Sequence, residues 1–213
     1  MEELDILKQD WKKRGNEFRQ YNEKDIYEML HKKSSSIVKW IFIISVLELF
    51  LWIALSMIMK HTGTLDEFKS FDRFNFMTIS EVISYLIIVF FIVLFYINYN
   101  KINTTSSVNE LIKCIIRTRK TVQTYIKVVI GFTIVTTFIV FWIQMNYDEK
   151  FIEMNQNMIR NGNENFFYLT MFVSVLILLA IFVVLLWVFY KIIYGILLKR
   201  LFKNYEELQK IDY

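Results

Sequence analysis

Residues 166–190 read FFYLTMFVSVLILLAIFVVLLWVFY, a stretch of 25 residues without a charged side chain. As an α-helix it would extend for about 37 Å at 1.5 Å per residue, which exceeds the ~30 Å hydrocarbon core of a bilayer. Three further apolar runs, 40–59, 82–99 and 128–145, are 18 to 20 residues long, and the only charged side chain in the four runs is Glu48. A soluble domain has no interior large enough for four such segments. The runs therefore predict transmembrane helices.

We predict an all-α fold, a four-helix transmembrane bundle whose helices extend into a cytoplasmic helical bundle. The chain of 213 residues lacks proline and has only five glycines, which favours straight helices over broken ones. The spans are placed at residues 37–59, 82–99, 128–146 and 166–190. The parts outside the membrane are residues 1–36, 60–81, 100–127, 147–165 and 191–213.

Lysine and arginine are distributed unevenly between the segments outside the spans. Residues 1–39, 98–127 and 191–213 hold nine, six and five of them, whereas residues 60–81 and 147–165 hold three and two. Cytoplasmic segments near spans carry the excess of basic residues, so this distribution predicts cytoplasmic termini. The expected location is the inner (cytoplasmic) membrane, crossed several times, with the lipid bilayer as the first partner.

The N-terminal segment is predicted to form two short helices, the second starting near Asn22 and Asp25. It has too few large apolar residues to fold alone, so it should pack on other cytoplasmic helices, lie on the lipid surface or bind a partner. Its apolar residues are the predicted anchors for a cytoplasmic protein, namely Trp11, Phe18, Ile26, Tyr27, Met29 and Leu30.

Capping patterns indicate where other helices begin. Ser107 to Glu110 predicts a helix start near Val108, which would run without a break into the third span. The fourth span keeps its helical rhythm from Leu197 to Leu208. In the exported loops, the residues from Thr64 to Glu67 predict a short interfacial helix, and the residues after Asp148 predict a second one.

Glu48 is the polar residue that most needs an explanation. A charge at the centre of a span costs at least ~2.5–3.5 kcal/mol, so Glu48 should face protein or be protonated. Its candidate partners are the hydroxyls at similar depth, which are Thr133, Thr136, Thr137 and Ser174. One interpretation is a polar clasp between helices, and the other is a proton or cation relay.

The sequence contains few residues that could form a catalytic site. His31 and His61 are expected on opposite sides of the membrane, so they cannot share a metal within one subunit. The sequence has no Gly-rich phosphate loop, no HExxH and no GxSxG. We therefore predict a protein that is not an enzyme and has no cofactor. The net charge of +4 and pI near 9.0 are explained by topology and anionic lipid, and no nucleic-acid motif is present.

The N-terminal block resembles a family of small four-span inner-membrane proteins of flavobacteria and other Bacteroidota. The recurring pieces are Trp11 to Lys13, Asp25 to Tyr27 and Lys32 to Trp40. Genes of that family often neighbour one for an extracytoplasmic-function sigma factor, and some members carry a carotenoid-oxygenase label. The resemblance implies a membrane-bound, anti-sigma-like regulator. It does not imply an oxygenase, because oxygenases use four histidines around iron and this chain has two.

Three functional hypotheses follow. The first is a non-enzymatic protein whose cytoplasmic helices dock a partner such as a sigma factor in transcriptional signalling. The second is a small transporter or proton-linked membrane component that uses Glu48. The third is a structural subunit of a membrane complex, and assembly into a homo-oligomer is compatible with all three.

Overall fold

The structure is a computed structural model that describes residues 22–63, 72, 74–105, 107–160 and 164–209. These residues form five helices, and no strand occurs among them. The predicted all-α bundle with four long apolar helices is confirmed. The helices are α1 (Glu23–His61), α2 (Phe76–Thr104), α3 (Val108–Tyr147), α4 (Glu149–Arg160) and α5 (Glu164–Gln209).

The four long helices form a closed ring of neighbours. Helix α1 packs on α2 and α5, and α3 completes the ring between α2 and α5. Because successive helices run in opposite directions, Glu23 and Gln209 lie at the same end of the bundle, which we call the terminal end. The other end, where α1 finishes at His61 and α2 starts at Phe76, is the loop end. Helix α4 packs there on α3 and α5.

The inner face of each helix follows from the spacing of its residues. On α1, side chains three and four positions apart point to one side, and this is the side that the other helices cover. The buried residues of α1 follow this spacing and are Leu30, Ser34, Val38, Ile41, Ser45 and Glu48.

The outer faces are also apolar. Phe50, Leu86, Val135 and Leu178 are each more than half exposed, and they represent all four long helices. Soluble proteins rarely expose a contiguous apolar surface of this extent. The four helices are long and apolar enough to cross a membrane, so the chain is described as a multi-pass membrane protein by length and composition.

Side-chain caps define several helix ends. The Ser107 hydroxyl accepts a hydrogen bond from the Glu110 backbone N–H at 3.3 Å, so α3 begins where the capping pattern indicated. The Asp148 carboxylate accepts one from the Lys150 backbone N–H at 3.0 Å. Asp72 accepts from the first two backbone N–H groups of α2 at 2.7 and 2.9 Å. The caps at Asp72 and Asp148 hold the loop end in a defined arrangement, whereas the Ser107 cap lies at the terminal end.

The start of the chain differs from the prediction in one respect. Helix α1 runs from Glu23 through Ser34, Ser35 and Ser36 to His61 without a break, where we expected a separate short helix followed by a connection. Tertiary packing outweighs the weak helix propensity of serine here, because Ser34 is fully buried and accepts a hydrogen bond from Asn204 at 3.2 Å. The predicted helix near Trp11 and the predicted interfacial helix at residues 64–67 lie outside the described residues.

The terminal end has its own apolar core, beyond the long apolar runs. The helices α1, α2, α3 and α5 all continue into it. Its buried residues are Leu30, Val38, Ile102, Leu111, Ile115, Leu201 and Leu208. The predicted extension of the helices is therefore present, and it is packed.

This core makes a testable contribution to stability. Replacing fully buried Leu111 with Ala should lower the free energy of unfolding by about 2–5 kcal/mol, because the cavity it leaves is only partly filled by its neighbours. The matched control is Ile116→Ala on the same helix, where the side chain is about half exposed and the expected change is within about 0.5 kcal/mol. Unfolding in mild detergent measures both variants. Equal losses would contradict the terminal core.

Candidate functional site

Glu48 is buried inside the bundle and is bonded by two tyrosines of α5. The Tyr190 hydroxyl donates to Oε1 at 2.5 Å and the Tyr194 hydroxyl donates to Oε2 at 3.2 Å. Among the described residues no Lys, Arg or His forms an ion pair with Glu48. Both carboxylate oxygens act as acceptors, and each has acceptor capacity left over. Glu48 is therefore buried with both oxygens bonded, and it can still accept a further hydrogen bond.

The contact between these residues follows from helix direction. Each Cα–Cβ bond tilts toward the N-terminus of its helix. The N-terminus of α1 is at the terminal end, whereas that of α5 is at the loop end, so Glu48 and Tyr190 lean toward each other.

Tyr125 of α3 completes the polar group. Its ring packs edge-on against the rings of Tyr190 and Tyr194, with centroids 5.8 and 6.2 Å apart. Its buried hydroxyl lies near the Glu48 carboxylate and the Tyr190 hydroxyl, but its geometry with either of them falls outside that of a hydrogen bond. An unpaired buried hydroxyl costs about 1–3 kcal/mol, so this group is available to a bound molecule or water.

A cavity of about 670 Å³ connects this group with the loop end. Glu48, Tyr125 and Tyr190 lie at its inner end, and Lys60, Asp72 and Asn75 lie at the loop end. Twelve residues of α1 separate Glu48 from Lys60, which corresponds to a depth of about 18 Å. The wall between them is largely apolar and aromatic, and its residues include Trp52, Leu55, Met59, Tyr85, Ile87, Ile88, Val129, Phe132 and Phe182.

A second acidic residue lies near the mouth of the cavity. Glu81 accepts hydrogen bonds from Ser56 at 2.5 Å, from Tyr85 at 3.1 Å and from Lys60 at 3.1 Å to each carboxylate oxygen. Lys60 neutralises the charge of the Glu81 carboxylate, whereas no cation among the described residues pairs with Glu48. Glu81 was not singled out from the sequence because it stands one residue before an apolar run.

The hydroxyls predicted as partners of Glu48 bond elsewhere. Thr133, Thr136 and Thr137 donate to carbonyls of their own helix at 2.8 to 2.9 Å, and Ser174 donates to Met171 O at 2.8 Å. Hydroxyls inside helices commonly make this local bond, which removes the need for a partner on another helix. Thr133 and Thr136 line the cavity, while Ser174 is exposed on the outer face of α5.

The predicted docking residues differ in how far they are buried. Leu30 is buried in the terminal core, and Ile26 and Tyr27 pack against it. The Tyr27 hydroxyl donates to Thr105 O at 3.4 Å. Only Met29 of the described members is well exposed. Leu30 is thus committed to the protein itself and is not free to anchor a partner, while Trp11 and Phe18 lie outside the described residues.

Two further polar pairs between helices were not anticipated. The Asn98 side chain donates to the Thr121 hydroxyl at 3.1 Å, and Asn204 bonds Ser34. The His31 imidazole contacts Ile102 O at 2.8 Å. These three contacts lie toward the terminal end, and each of them joins two helices of the bundle.

No group of three or more His, Cys, Asp or Glu side chains lies close enough to hold a metal ion within the part of the chain that the structure describes. His31 and His61 are 30 residues apart on one helix, which corresponds to about 45 Å. The residues around the Glu48 cavity therefore include no such group among those described.

Comparison with known proteins identifies one family. The family model described as a domain of unknown function, DUF8845, matches residues 24–213. No curated protein and no solved structure matches the chain.

Proposed function

The chain belongs to the DUF8845 family, whose domain covers all four long helices, and we propose that it is a non-enzymatic membrane component in which Glu48 exchanges a proton with a cavity that receives a solute. It would act as a small transporter or as a proton-linked membrane component. The observation that carries the proposal is the cavity that runs from the loop end to an acidic side chain for which the described part of the chain provides no ion-pair partner.

The environment of Glu48 suits this role. Each oxygen of Glu48 keeps an acceptor position beside its tyrosine hydrogen bond, and a proton or a hydrogen-bond donor from the cavity can occupy it. Toward the terminal end, the fully buried side chains of Ile41, Phe95 and Tyr194 fill the bundle. Exchange in this conformation therefore proceeds from the loop end.

The orientation of the chain is part of the proposal. Twenty of the 25 Lys and Arg residues belong to the sequence segments 1–39, 98–127 and 191–213, which supports a cytoplasmic terminal end in the inner membrane. The cavity would then open away from the cytoplasm. Partner docking at the cytoplasmic helices and the sigma-factor link that the resemblance implies stay predictions. Leu30 and its neighbours are engaged in the terminal core, so they do not supply a free docking surface.

Infrared spectroscopy of the purified protein tests proton exchange without any ligand. Lowering the pH should increase the C=O absorption of protonated carboxyl groups, and part of this increase should be absent from Glu48→Gln. The matched control is Glu81→Gln, which removes the carboxylate paired with Lys60 and should keep the part that belongs to Glu48. If wild type and Glu48→Gln give the same pH-dependent spectra, the proposed function is wrong.

A further inference from the structure

The cavity combines an acidic inner end with an aromatic wall. Its lining contains three acidic residues, Glu48, Asp72 and Glu81, and one basic residue, Lys60. Lys60 is paired with Glu81, and Asp72 caps the start of α2. Among the described residues, Glu48 is thus the one of the three acids with neither an ion-pair partner nor a helix start to cap, and it is the deepest of them along the helices. The field inside the cavity favours a cation and disfavours an anion.

The wall favours a particular kind of cation. Trp52, Tyr85, Phe132 and Phe182 contribute aromatic rings between the mouth and Glu48. Ring faces attract cations, most strongly when the cation is weakly hydrated, and tryptophan gives the largest effect. A small inorganic ion would gain little from such a wall. An organic cation with an apolar surface would bury that surface and keep its charge near Glu48.

The size of the cavity and the buried Tyr125 hydroxyl also fit an organic cation. A volume of about 670 Å³ lies within the range of sites that hold drug-sized molecules. The buried Tyr125 hydroxyl has no partner among the described residues and lines the inner end of the cavity. It can accept an N–H of a protonated amine beside Glu48.

We propose that the cavity binds a lipophilic organic monocation, such as a substituted ammonium or phosphonium ion, with its charge at Glu48 and its apolar groups against Trp52 and Phe132. This inference rests on the proposed function and names its solute class. One bound cation replaces one proton on Glu48, so charge is balanced without a further ion. The bond that forms is non-covalent, and the proton leaves through the cavity to the loop end.

The test uses two ions of matched shape and opposite charge, tetraphenylphosphonium and tetraphenylborate. Equilibrium dialysis against the full chain in uncharged detergent should show saturable binding of the phosphonium ion, about one per chain, and only unsaturable partitioning of the borate. Glu48→Gln should weaken phosphonium binding by about tenfold or more, since a desolvated charge contact is lost. Trp52→Leu should weaken it several-fold through the lost ring face. Ser174→Ala, on the outer face of α5, should bind like wild type.

A measurement on the wild type keeps the test independent of variant folding. If the cation takes the place of a proton on Glu48, its binding should release protons into weakly buffered solution, and lower pH should weaken binding. If the two ions behave alike, or if Glu48→Gln binds the phosphonium ion as wild type does, the cation class is wrong. In that case an infrared response of Glu48 would still support the proposed function. Absence of that response would overturn both.

Discussion

A cysteine at position 84 is expected to react with a charged thiol reagent far faster than a cysteine at position 174. Both positions are serines in long apolar helices, and both hydroxyls donate to a carbonyl of their own helix, at 2.7 and 2.8 Å. Ser84 lines the cavity, whereas Ser174 is exposed on the outer face that lipid would cover. The thiolate is the reactive form, and water permits its formation while lipid suppresses it, so a difference of roughly 100-fold in rate is expected.

The experiment uses a background in which Cys114, the only native cysteine, is replaced with Ala. Ser84→Cys and Ser174→Cys are compared in lipid vesicles with a methanethiosulfonate that carries a quaternary ammonium group. Reaction is followed by mass spectrometry. Similar rates at the two positions would contradict either the water-filled cavity or the lipid-covered outer face.

Tyr190→Phe is expected to have the second large effect. It keeps the ring in the core and removes the hydroxyl that donates to Glu48 Oε1 at 2.5 Å. Removing this donor leaves a buried carboxyl oxygen with one hydrogen bond fewer, which should reduce the free energy of unfolding by about 1–3 kcal/mol. The matched control is Tyr96→Phe on the outer face of α2, where the half-exposed side chain should tolerate the change.

A double-mutant cycle separates the bond from other effects of the substitution. Tyr190→Phe and Glu48→Gln are made singly and together, and unfolding is measured in detergent. If the bond to the carboxylate matters, Tyr190→Phe should cost about 1–2 kcal/mol less in the Glu48→Gln background than in the wild type. Additive losses would show that the hydroxyl and the carboxylate do not act as a pair.

The bundle could be predicted from the sequence because its signals are local. The long apolar runs identify the four helices, Ser107 and Glu110 indicate the start of α3, and residues after Asp148 form the short helix α4. The continuity of α1 through its serines could not be predicted, because it depends on burial of Ser34 against α5.

The site could be predicted only in part. The sequence singles out Glu48 because a charged side chain is costly inside a membrane. Its partners were expected among the hydroxyls at similar depth in the other apolar runs. The direction of Cβ in antiparallel helices brings Tyr190 and Tyr194 to it instead. A signal was present, since a tyrosine hydroxyl inside a bundle also needs a partner and these two are one turn apart. The cavity itself arises from helix packing, which leaves no pattern in the sequence.

The proton exchange of Glu48 from the loop end can be measured most directly in vesicles that contain the protein in one orientation. The pH is changed on one side at a time while the infrared absorption of protonated carboxyl groups is followed, with Glu48→Gln as the reference. The account predicts that the absorption assigned to Glu48 responds to pH at the loop end and not to pH at the terminal end. A response only to the terminal end, or to neither side, would contradict it.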